Sequence, residues 1–130
     1  MSTDDPLELA GPAAPEPPDV PKPEPEKIVE PLDFSKFPDR TPEMLKLLLN
    51  QNIVVDTDSH FVYLGNLVRA DPEFLCLGHV DAHEVTSSTL SKEKYVHEAR
   101  NIGVRPSRDY TFVPMARVVS ISRLDDVKKF

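Results

Sequence analysis

The stretch FLCLGHVDAHEV, residues 74 to 85, holds the residues best placed for chemistry: His79-x-Asp81-x-His83, followed directly by Glu84. Imidazole nitrogens and carboxylate oxygens are the usual ligands of zinc-type ions. Alternate residues of a strand point to one side, roughly 7 Å apart between Cα atoms, so His79, Asp81 and His83 could share one metal. His97 or Glu98, further along the chain, would complete the set. Two other readings fit the same pattern. The three could form the wetted outer face of a strand, or Asp81 and His83 could hydrogen-bond a helix and hold it in place.

A second constellation is basic. Lys92, Lys94, Arg100, Arg105 and Arg108 cluster in sequence, and Arg105 and Arg108 bracket Pro106 and Ser107 in a loop suited to phosphate. Lys92, Arg100, Arg105 and Arg108 are thus the candidate nucleic-acid contacts. Glu93, Glu98 and Asp109 lie among them, which also suits a mixed, solvated surface. Catalysis finds little footing. There is no Gly-rich phosphate loop, no nucleophile elbow, and no carboxylate pair in an evident cleft, so neither a catalytic residue nor a cofactor is expected. Cys76 is the single cysteine, which leaves it as a core filler with no disulfide partner.

The elements that must position these residues can be read from periodicity. Residues 40–52 open like a helix: Thr41 can cap, Pro42 suits the first helical position, and Glu43 complements the dipole. Met44, Leu45, Leu48 and Leu49, widened by Leu47, are expected to lie over a core. Strands follow at 53–56, 61–70 and 74–85. In the second of these both faces are apolar, as in a strongly bent strand of a small barrel, with Gly65 as the bend. In the third, Leu75 and Leu77 alternate on one parity, and Val80 and Ala82 on the other. A β-bulge at Gly78 restores them to one inner face. A second helix, 91–102, starts at the capping residue Ser91 and ends at Gly103, which fits a left-handed exit. Two strands, 110–114 and 117–122, finish the pattern.

Ahead of this body the composition changes. Residues 1–39 hold ten of the 14 prolines and ten acidic residues against three lysines, a net charge of −7. That is the formal net charge of the whole chain, so the body (residues 40–130) is balanced. Such an arm cannot bury enough apolar surface to offset its ordering entropy, and it is expected to be disordered and biased to polyproline II. It could engage an SH3- or WW-type groove, or serve only as a solubilising spacer. Its acidity opposes tight nucleic-acid binding. The start, MSTDDPLELAG, carries no signal-peptide pattern, and no apolar run is long enough to span a bilayer, so a cytoplasmic location is expected.

The order of elements, with VYLGNLVRADPEFLCL, resembles the first motif of the Sm/LSm family at Gly65, Leu67, Asp71, Leu75 and Leu77. FVPMARVVSIS is similar to the second motif through Val118 and Ile121. The resemblance implies a mainly β fold: an N-terminal helix capping a five-stranded, strongly bent SH3-like barrel, with a helical insertion between strands 3 and 4. It implies association through open strand edges. RNA binding through the family's usual pocket is not implied. Pro72, Glu73, Phe74 and Leu75 stand where an Asn is expected, and Pro114-Met115 replaces the usual Arg-Gly. The reading is a non-enzymatic binding or assembly module, with an RNA-associated role on a non-standard surface as the alternative and a metal-dependent site third.

Overall fold

A computed structural model describes residues 29–87 and 90–129; the side chain of Ser87 and the arm over residues 1–28, with its expected disorder, lie outside the described residues. Residues 29–33 have no regular secondary structure, and from Phe34 on the chain belongs to the folded unit. Five strands form one antiparallel sheet: β1 (Asn52–Thr57), β2 (Phe61–Ala70), β3 (Phe74–Glu84), β4 (Arg108–Pro114) and β5 (Val118–Arg123). A single α-helix of the described residues, α1 (Lys92–Ile102), lies between β3 and β4. The strand order is β4-β3-β2-β1-β5, and the sheet does not close, so β4 and β5 are its two ends.

Both faces of the sheet are apolar because each is covered. Ile53, Val55, Leu67, Leu75, Leu77 and Val80 are fully buried in the inner core. Each such side chain contributes on the order of 1.5–3 kcal/mol. On the outer face Val54, Val62 and Leu64 pack with Ala99 of α1 and with Leu124. The parity switch in β3 is therefore real, but the bulge falls one residue later than expected. Leu64 pairs with Asp81 and Asn66 with Gly78, so His79 and Val80 together oppose Gly65. His79 takes the positive φ, 49°. Gly78 is buried, and a Cβ there would meet Val68 Cγ2 at 3.0 Å, so its glycine serves close packing. The strained conformation passes to exposed His79, a residue type that tolerates it better than most. Gly65 serves the same close approach: a Cβ there would lie 3.1 Å from the Gly78 carbonyl.

A second shift was not legible in the sequence. Leu67 pairs with Leu77 but Arg69 with Cys76, which leaves Val68 as an extra residue. It brings Arg69 onto the outer face. There its guanidinium donates to the carbonyls of Phe34 (3.1 Å) and Phe37 (2.7 Å) and lies over the Phe34 ring.

The expected first α-helix is a 3-10 helix, Glu43–Leu48. Residues i and i+3 eclipse in this geometry. Leu45 and Leu48 therefore share the ridge packed on the inner core, whereas Met44 and Leu47 point out, 80% and 76% exposed. Thr41 does not cap it. Its hydroxyl donates to Ala70 O (2.9 Å) and accepts from Ala70 N (3.2 Å), while extended Pro42 precedes the first turn. No helix among the described residues is long and apolar enough to cross a membrane.

Candidate functional site

The polar cluster of β3 meets α1 across the outer face. Ser91 caps the helix, its Oγ accepting from Lys94 N at 3.2 Å. Gly103 closes it with φ 91° and donates to Ala99 O at 2.7 Å. Between these ends Tyr95 donates its phenol to Asp81 Oδ2, and its ring stacks on His83 with centroids 4.1 Å apart. His83 Nε2 lies 3.1 Å from Leu90 O, which fixes Nε2 as the protonated nitrogen. Ser107 donates to the other oxygen of Asp81 at 3.3 Å. Burial first, and the Asp81 carboxylate second, push the Tyr95 phenol above its ordinary value of 10.0. The phenol is thus a permanent donor at neutral pH, and the pair binds the helix to the sheet.

Asp81 accordingly hydrogen-bonds α1, as one of the three readings had it, whereas His83 meets the helix by stacking on Tyr95 and bonds Leu90 ahead of it. His79 does not join them: it stands exposed on the bulge, out of the strand's regular alternation. Among the described residues no three His, Cys, Asp or Glu groups are placed to hold a metal ion. The expected ligand set His79, Asp81 and His83 is therefore not assembled. The bulge displaces one member, and the other two make their contacts with the helix. A cleft of about 230 Å³ remains beside them, lined by Asp81, His83, Tyr95, Glu98, Ile102 and Arg105 among others.

The candidate nucleic-acid contacts separate into two pairs. Lys92 Nζ donates to Asp56 Oδ1 (2.7 Å), Thr57 O (3.1 Å) and Ser59 O (2.8 Å), so all three ammonium protons are used in tying α1 to the β1–β2 turn. Arg100 Nε donates to Val127 O at 3.1 Å. Arg105 and Arg108 are exposed, in the loop and at the start of β4. Lys92 and Arg100 thus make contacts within the chain, whereas Arg105 and Arg108 face solvent.

A different region presents apolar surface. On the outer face Arg69, Cys76 and Phe112 form one cross-strand row that ends at the β4 edge. The turn 34–38, held by Arg69, leaves a groove of about 240 Å³ with Phe34, Phe37, Phe74, Cys76 and Phe112 in its walls. Burial pushes the Cys76 thiol up, which disfavours the reactive thiolate. Phe112 on β4 is 50% exposed. On β5, Val119 is extra in the register with β1 and 65% exposed.

Sequence reasoning missed Tyr95 and Arg69 as organisers. By helical spacing Tyr95 reads as one of an apolar stripe with Ala99 and Ile102, although an aromatic with a hydroxyl in so polar a helix invites a buried acceptor. Arg69 was visible as an arginine inside an apolar run, where a charge needs a partner. Compared with known proteins, the sequence matches no family model, and no curated protein matches it.

Proposed function

We propose that this chain is a non-enzymatic binding and assembly module of the Sm/LSm-like small-barrel type, acting in the cytoplasm and self-associating by strand pairing. The observation that carries the reading is the sheet with β4 and β5 as its two ends, each with a large apolar side chain exposed. Unpaired strand edges are templates for another chain, and natural monomers protect them with charge, proline or a covering element. Pairing β4 of one copy with β5 of the next is a heterologous contact, which closes into a ring when the rotation allows. The antiparallel meander, the helix between β3 and β4, and the bulges in β2 and β3 support the barrel type.

Native mass spectrometry of the full chain tests the proposal. An oligomer of defined stoichiometry is expected at micromolar concentration, and Phe112→Lys and Val119→Lys should each yield monomer while remaining folded. A wild-type monomer at all concentrations would overturn it. The second reading, RNA association on a non-standard surface, rests on exposed Arg105 and Arg108. It requires affinity that falls steeply with salt and drops in the Arg105→Ala, Arg108→Ala double variant. The Pro-rich arm adds a separate site for a protein partner with an aromatic groove.

A further inference from the structure

Helix α1 grips the segment that follows β5 with two side chains about one turn apart. Arg100 binds the Val127 carbonyl, and the His97 ring meets the Lys128 carbonyl through Nδ1 at 3.0 Å. The same ring meets Glu93 Oε1 through Nε2, also at 3.0 Å. These two partners are acceptors, one a carbonyl oxygen and the other a carboxylate oxygen. A neutral imidazole carries one N–H and can satisfy only one of them, whereas the imidazolium donates to both. We propose that His97 is a proton-operated clasp on the segment 124–128. Protonated, it ties α1 to Lys128 O while Glu93 holds the second ring proton. Deprotonated, it keeps one contact and releases the other.

The surroundings say what the clasp controls. Leu124 is buried, and Val127 packs on the same outer cluster as Val54 and Val62. The segment forms one wall of a cleft of about 490 Å³ that also includes Val96 and, on β5, Ser120 and Ser122. Loosening it opens an apolar floor next to an edge strand. The charged groups lining this cleft are Lys92 and Glu93 from α1, Asp56 from β1, and Asp126 and Lys128 from the segment itself. Lys92 and Asp56 are paired at 2.7 Å, and Asp126 is paired with Arg123 at 2.8 Å. Glu93 is thus a carboxylate at the ring. His97 is 20% exposed, enough for proton exchange with solvent.

Amide hydrogen exchange on the full chain, corrected for the intrinsic rate, tests the clasp across about pH 5 to 8, where histidine changes charge. The probe is the Val127 amide, which donates to Leu124 O at 3.0 Å, read relative to amides of β2. Its protection should fall roughly three- to tenfold as pH rises, a range set by one charge-assisted bond to a largely exposed carboxylate. His97→Gln should make the protection independent of pH. Glu93→Gln leaves the ring in place and should shrink the drop, so it serves if the first variant is unfolded. A flat wild-type profile, or a drop kept in full by Glu93→Gln, would overturn the proposal.

Discussion

Two segments of this chain begin with a hydroxyl residue followed by an amphipathic run, and they fold differently. At 91–102 Ser91 caps an α-helix through Lys94 N, and Gly103 ends it. At 41–48 the hydroxyl of Thr41 goes instead to both backbone groups of Ala70, and only a 3-10 helix forms. Ser91 is exposed, so no tertiary partner competes for it; Thr41 is buried against β2, so one does. A helix of six residues has little intrinsic stability to set against that competition. The difference teaches that a cap signal specifies a helix only where the capping side chain remains local.

Substituting the two hydroxyls should separate their roles most widely. Thr41→Val keeps the shape and removes two buried bonds to Ala70, and it should cost about 3 kcal/mol in chemical denaturation. Ser91→Ala removes one exposed cap and should cost about 1 kcal/mol. If Ser91→Ala proved the more damaging, Thr41 would be no more than a local turn residue. The contrast between local and tertiary partners would then collapse.

The same segment shows what periodicity could and could not disclose. The strand runs, the inner face of β3 and the position of α1 follow from alternation and capping, and the structure has them. Residues 43–48 defeated the reading because Met44, Leu45, Leu47, Leu48 and Leu49 satisfy a wide helical face and a period of three equally well. Bulges are a similar limit: each adds one residue to a register that depends on the neighbouring strand. The parity change at Gly78 announced one of them, whereas nothing in the apolar run of β2 marked Val68. The site was legible as a polar row, and contact with a helix as one of three readings of it, but the partner was not, since Tyr95 lies 14 residues from Asp81. Leucine truncation sharpens the point. Leu48→Ala should cost about 2 kcal/mol, and Leu47→Ala should stay within about 0.5 kcal/mol, by thermal or denaturant melting. Equal costs would restore the wide α-helical face.

A smaller effect than that of Thr41 or Leu48 concerns how firmly α1 is held by its polar anchors. Tyr95→Phe removes the bond to Asp81 but keeps the ring stacked on His83, and it should cost about 1 kcal/mol at neutral pH. The raised phenol adds a pH signature with a definite sign. Above 10.0 the unfolded chain loses the Tyr95 proton while the folded chain retains it. The folded state then binds more protons than the unfolded state, so this contribution is fully present below 10.0 and is lost as pH rises further. Wild-type stability should therefore decline more steeply in alkaline solution than that of Tyr95→Phe, with Tyr63 and Tyr110 common to both. Parallel alkaline slopes would mean that Lys92 and the apolar contacts hold the helix alone. Its anchoring would then resemble that of the 3-10 segment, which is set by burial and one tertiary partner.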